Sequence, residues 1–169
     1  MSNHAHLLLR TGGQAIASVM RRLLTGYAVS FNRQHRRHGH LFQNRYKSIL
    51  CDEEVYFKEL IRYVHLNPLR AGLVDNLAGL DRYPWCGHAF VVNGNEYPWH
   101  DVSFVLSRFG EKIRDARQRY REFLDGGIRE NLGCAKGKWR SDWSLLEWLK
   151  EIRRADDLDE PDRDARVLG

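Results

Sequence analysis

Met1-Ser2-Asn3-His4-Ala5-His6-Leu7-Leu8-Leu9 opens the chain, and the reading of this stretch decides the fold. Two histidines flank one small residue and run straight into an apolar segment. On a strand, side chains alternate between faces, so His4 and His6 share one face while Ala5, Leu7 and Leu9 point into a core. Residues 4–10 are then a strand that displays two imidazoles. Residues 45–51 alternate in the same way and are expected as a second strand. Another His-x-His, His38-Gly39-His40, lies beside Arg36 and Arg37. It reads as a solvated basic loop with no strand to hold the imidazoles.

Between these segments the period changes. Ile16, Val19, Met20, Leu23, Tyr27 and Phe31 recur at helical spacing, which predicts a helix from Gln14 to Gln34 entered by the Gly12-Gly13 turn. A second predicted helix runs from Glu53, with Asp52 as N-cap, to about Leu66, closed by Asn67-Pro68. Tyr56, Leu60, Tyr63 and Asn67 share one of its faces, with Tyr63 and Asn67 a single turn apart. Two imidazoles, one amide oxygen and one phenol are the parts of a divalent-metal site with a tyrosine nucleophile beside it. Each half also has a plainer reading. Two histidines on an edge strand would look the same, and Tyr63 with Asn67 fits a half-buried tyrosine on a helix that Asn67 ends. Tyr56 is the rival nucleophile on that face. His65 points away from Tyr63 and reads as a surface histidine.

Composition narrows the class. With 169 residues, 43% of them hydrophobic, the chain has room for one ordinary domain and an appendage. The net charge of +5 understates an asymmetry. No acidic residue precedes Asp52, whereas Arg10, Arg21, Arg22, Arg33, Arg36, Arg37, Arg45 and Lys47 all do. Interleaved with Tyr27, Phe31, Phe42 and Tyr46, this block suits a phosphate backbone with aromatics for stacking exposed bases; the alternative is a solvated helix face. Cys51, Cys86 and Cys134 are widely spaced and form no Cys-x-x-Cys pair, so they read as reduced thiols without a disulfide frame or zinc site. Leu7 to Leu9 is too short an apolar run to span a membrane, and the start has no basic leader. A soluble, cytoplasmic protein is expected.

Pro84, Asn93-Gly94-Asn95 and Pro98 interrupt the pattern and place a boundary near residue 93. Beyond it, Val102 to Leu106 and Ile113 to Leu124 are predicted helices joined at Phe109-Gly110. Arg114, Arg117, Arg119 and Arg121 crowd the second. A DNA-binding appendage and a packed cap with a solvated basic face are both open. Trp139, Trp143 and Trp148 predict one more helix, and the acidic tail from Asp156 is expected to be disordered.

Met1 to Leu9 resembles the histidine–hydrophobe–histidine strand of the single-tyrosine HUH transposases, in particular the REP-associated tyrosine transposases. Three further stretches fit in the same order. They are Phe31-Asn32-Arg33 through Gly39-His40-Leu41-Phe42-Gln43-Asn44-Arg45-Tyr46-Lys47, then Arg62-Tyr63-Val64-His65-Leu66-Asn67-Pro68 through Val74, then Tyr83-Pro84-Trp85-Cys86. The resemblance covers about residues 1–92. It implies an α+β, ferredoxin-like antiparallel sheet with helices on one face. It also implies that the catalytic domain is N-terminally incomplete, lacking a strand and helix before the histidine motif. The expected organisation is a partial catalytic domain over 1–92, a helical C-terminal extension over 93–155, and a tail over 156–169.

The same resemblance implies a chemistry. His4, His6 and Asn67 would hold one divalent cation, Mg2+ or Mn2+, which offsets charge on the scissile phosphate. Tyr63 would attack phosphorus, giving a 5′-phosphotyrosine and a 3′-hydroxyl that can reverse the reaction on another end. The substrate would be single-stranded DNA bearing a hairpin, with Arg33, Arg45, Lys47 and Arg70 as backbone contacts by charge and position. The protein would act as a monomer or homodimer. Two other readings stay open: a DNA-binding remnant that cannot cleave, and a metal-dependent phosphodiester hydrolase that activates water.

Overall fold

The computed structural model describes residues 4–10, 12–51, 53–94 and 97–133. Six helices form among them: α1 (Ile16–Gln34), α2 (Glu53–Arg70), α3 (Leu77–Asp81), α4 (Gly87–Asn93), α5 (Val102–Ser107) and α6 (Ile113–Gly133). The expected tryptophan-bearing helix and acidic tail lie outside the described residues, as does the Asp52 cap.

No strand forms among the described residues, and this overturns the ferredoxin-like antiparallel sheet. Residues 4–10 and 45–51 carry the expected alternation but no ladder. A strand exists by exchanging backbone hydrogen bonds with a neighbour; alternation only says which faces its side chains would then take. Leu7, Leu8 and Leu9 are accordingly 55%, 39% and 42% exposed instead of pointing into a core. The described architecture is helical.

Two compact units make up the chain. The smaller, Leu7–Cys51, is built on α1. Its side chains form an aromatic ladder: Tyr27 stacks on Phe31 at 6.0 Å and tilts against Phe42 at 6.1 Å. The basic loop after α1 is tied back by Asn32 Nδ2, which donates to the Gly39 carbonyl at 3.0 Å. Of α1 only Met20 is buried, while Leu23, Tyr27 and Val29 are exposed.

The larger unit joins residues 4–6 to α2–α6. Its core forms where α2 meets α6. Phe57 and Ile61, one turn apart on α2, face Ala116, Tyr120 and Leu124, each one turn from the next on α6 and all fully buried. Leu80, Val91, Val102 and Leu106 complete it from the short helices. Each large apolar side chain so buried contributes roughly 1.5–3 kcal/mol. The two long helices approach closely at Gly127, where a Cβ would lie 2.5 Å from Arg62 Cδ. Arg62 uses that gap to reach over the Phe123 ring, 4.8 Å from its centroid.

The second helix does not stop at Asn67-Pro68 but runs on to Arg70. Proline removes one intrahelical hydrogen bond, yet here the turn continues regardless: Ala71 N–H reaches the Asn67 carbonyl at 2.9 Å. Termination comes from Gly72, at φ +66°. With Gly72 left-handed, Leu73 N–H donates to the Pro68 carbonyl and Gly72 N–H to the Leu69 carbonyl, the paired bonds of a Schellman end. The extra turn carries Arg70 onto the helix, and that placement matters below.

Candidate functional site

Tyr63 lies on α2 and is only 4% exposed. Burial therefore acts first on its phenol and raises the pKa above the usual tyrosine value; the Asn67 side chain and the Arg70 charge pull the other way. Arg70, two turns along α2, holds its guanidinium carbon 5.3 Å from the centroid of the Tyr63 ring. The cation is itself partly desolvated, which lowers its pKa, while Tyr63 and Glu59 support its charge.

His6 brings the N-terminal segment to the same place. Its ring meets Tyr63 edge-on, with centroids 5.4 Å apart and planes at 77°. His4 packs against His6 in turn, at 5.2 Å and 86°. Burial, then the neighbouring His4, pushes the His6 pKa below the usual histidine value, so its imidazole is neutral with a lone pair to offer. Asn67 supplies an amide with Nδ2 buried and without a hydrogen-bond partner. Such an orphaned edge is unusual in a folded protein, and an amide turned over would present oxygen there instead. Imidazole nitrogens and an amide oxygen are donors that divalent cations take, and His4, His6 and Asn67 offer them around Tyr63. No group of three His, Cys, Asp or Glu residues with metal-site geometry occurs among the described residues, so a third ligand would have to be an amide such as Asn67.

The alignment of the chain with known families falls on this cluster. Residues 1–67 match the family described as IS200-like transposase, a span that contains His4, His6 and Tyr63 and ends on Asn67. Comparison with curated proteins and with solved structures gave no match. No described helix is long and apolar enough to cross a membrane.

The expected site residues divide between the two units. His4, His6, Tyr63, Asn67 and Arg70 are gathered in the larger unit. Arg33, Arg45 and Lys47 belong to the smaller unit, where all three are exposed. Tyr56, the rival nucleophile, is half-buried on α2.

His65 is not at the surface. It is buried in a polar network that the sequence reading missed. His65 Nδ1 lies 2.7 Å from the Tyr120 hydroxyl, which is 2.8 Å from His88 Nδ1; His88 Nε2 lies 2.8 Å from Asp81 Oδ1, and Arg121 pairs with the other Asp81 oxygen at 2.7 Å. Burial lowers the pKa of both histidines, that of His65 to about 3, so both rings are neutral at pH 7. The proton positions then follow. His88 donates from Nε2 to Asp81, so its Nδ1 accepts from Tyr120, and the Tyr120 oxygen in turn accepts from His65 Nδ1. This chain ties α2 to α3, α4 and α6 through side chains alone. A signal existed in the sequence: His65 continues the four-residue spacing of Phe57 and Ile61, which places it on the core face of α2.

Proposed function

We propose that the chain cleaves and rejoins single-stranded, hairpin-bearing DNA, with Tyr63 as nucleophile. One observation supports this reading above the others. The His4–His6 pair, remote in sequence, lies against the one tyrosine of α2 that also has an amide one turn on and an arginine over its ring.

The Tyr63 oxygen attacks the scissile phosphorus, a phenolic O–P bond forms, and the bond from phosphorus to the 3′ oxygen breaks. The 3′ oxygen leaves as a hydroxyl, taking up one proton, and the phenol gives one up. The products are a 5′-phosphotyrosine and a 3′-hydroxyl end, so the phosphodiester energy is retained for the reverse reaction on another end. Arg70 holds the ring of the nucleophile and favours its ionised form. His4, His6 and Asn67 would hold a divalent cation, Mg2+ or Mn2+, which offsets negative charge at the phosphate when bound. Imidazole donors suit Mn2+ better than Mg2+, which prefers oxygen and water. Exposed Arg33, Arg45 and Lys47 contact backbone phosphates in this reading, positioning the strand without reading its sequence.

A labelled single-stranded hairpin oligonucleotide incubated with the protein and Mn2+ tests it. The expected result is a denaturant-resistant protein–DNA band that Tyr63→Phe abolishes and Tyr56→Phe retains. Strand cleavage that survives Tyr63→Phe without any covalent band would mean a hydrolase. Binding with neither cleavage nor adduct would mean a DNA-binding protein without this activity.

A further inference from the structure

One tripeptide occurs twice in the larger unit. Tyr83-Pro84-Trp85 precedes α4, and Tyr97-Pro98-Trp99 precedes α5. Both are turns with proline at the first central position, where its fixed φ is already that of the turn. Both leave a tryptophan in solvent: Trp85 is 84% exposed and Trp99 75%. An exposed indole normally arises from a mobile segment or a lone surface position. Here the second turn is held firmly. His100 N–H closes it onto the Tyr97 carbonyl at 2.9 Å, and Tyr97 stacks on Trp99 at 5.3 Å and 27°. Phe90 of α4 supports the stack edge-on, 5.1 Å from Tyr97 and 6.4 Å from Trp99. The two turns also meet. A Cβ on Gly87, two residues after Trp85, would lie 3.2 Å from His100 Nε2, next to Trp99.

We propose that Trp85 and Trp99 form a stacking site for the bases of single-stranded DNA, apart from the Tyr63 centre and on the same unit. The exposed groups are flat aromatic faces rather than aliphatic side chains, the chemistry that accepts any unpaired base. Cations flank them. Arg82 is exposed just before the first turn, and the Arg117 guanidinium lies beside Gly94, where α4 ends. The described carboxylates nearby are engaged: Asp81 with His88 and Arg121, Asp101 in capping α5 through Phe104 N–H at 3.1 Å. Bases stacked here would leave their phosphates near the arginines. The proposal rests on the single-stranded DNA reading above but not on strand cleavage.

Fluorescence anisotropy with a fluorescein-labelled oligothymidylate of about 16 nucleotides, the upper end of common site sizes, tests it in chelator-containing buffer. Trp85→Ala and Trp99→Ala should each weaken binding roughly 5- to 150-fold, the equivalent of about 1–3 kcal/mol per stacked base. Trp→Phe at each position should restore most of it. Both side chains are exposed, so circular dichroism should be unchanged; thermal melting should hold in Trp85→Ala and fall slightly in Trp99→Ala, which loses its stack on Tyr97. The proposal is overturned if wild-type protein does not bind the oligonucleotide, or if the double alanine variant binds within twofold of wild type. Equal losses on duplex DNA would overturn it as well. So would a change in solution mass of that variant with DNA binding intact, which would make the turns a self-association surface. Binding lost in the double variant, with no Tyr63 adduct in wild type, would uphold this site and sink the cleavage reading; an adduct with unchanged binding would do the reverse.

Discussion

The guanidinium of Arg70 covers the ring of Tyr63, 5.3 Å from centroid to Cζ, because α2 runs through Pro68 to its Schellman end at Gly72. Had the helix stopped at Asn67, Arg70 would lie outside it, without the two-turn spacing that stacks it over Tyr63. The tyrosine is buried, which raises its pKa, and Arg70 is one of two neighbours that oppose the rise. Removing the cation therefore moves the phenol pKa further up and leaves less phenolate at any given pH. Arg70→Ala should slow adduct formation roughly 2- to 30-fold, from a cation–π contribution of about 0.5–2 kcal/mol, and displace its pH profile to higher pH. Arg70→Lys should recover part of the rate. An unchanged profile in Arg70→Ala would mean the arginine serves only to bind DNA.

The metal reading makes a separate prediction with a readout that needs no DNA. Calorimetric titration with Mn2+ should show one site per chain, weakened at least about tenfold by His6→Ala and by Asn67→Ala, with imidazole loss costing more than amide loss. Chelation should abolish adduct formation and added Mn2+ restore it. Binding of Mn2+ that is indifferent to His4→Ala and His6→Ala together would reduce the pair to a packing contact with Tyr63.

What the sequence made legible divides along the range of the interactions involved. Helices α1, α2, α5 and α6 were readable because their apolar residues recur at the helical period, a local property. The Tyr63–Asn67 spacing was readable for the same reason. Residues 4–10 misled because alternation is necessary for a strand and the ladder that makes one is non-local. Pro68 misled because a proline penalty of about 3 kcal/mol can be offset by packing and by a good C-terminal cap, and Gly72 supplied that cap. The burial of His65 was signalled by its spacing from Phe57 and Ile61, but its partner Tyr120 lies more than fifty residues away, and no local pattern carries that pairing.

Tyr120 sits between two neutral imidazoles, donating to one and accepting from the other. Tyr120→Phe keeps the ring, with its edge-on contact to Phe109 at 5.4 Å, and removes only the hydroxyl. It leaves a buried acceptor on His88 and a buried donor on His65 without partners. Each costs about 1–3 kcal/mol, so chemical denaturation should report a loss of at least about 2 kcal/mol. A loss below about 0.5 kcal/mol would mean that water satisfies the two nitrogens.

The same network should make the larger unit acid-sensitive above the range where carboxylates titrate. Burial lowers the pKa of His88 and, more strongly, of His65, to about 3. In the unfolded chain both return to about 6.5. Between those values the unfolded state binds protons that the folded state refuses, so stability rises with pH and is lost as pH falls. The contribution is complete above about pH 6.5 and declines below it by up to about 1.4 kcal/mol per pH unit for each histidine. Asp81 opposes the shift at His88 through its hydrogen bond and charge, so Asp81→Asn should lower that pKa further and steepen the decline. Urea denaturation at pH 7.5, 6.0 and 5.0 reads this directly. Equal midpoints across that range would show that His65 and His88 take up protons in the folded protein, and the proton order deduced for the Asp81–His88–Tyr120–His65 chain would be wrong.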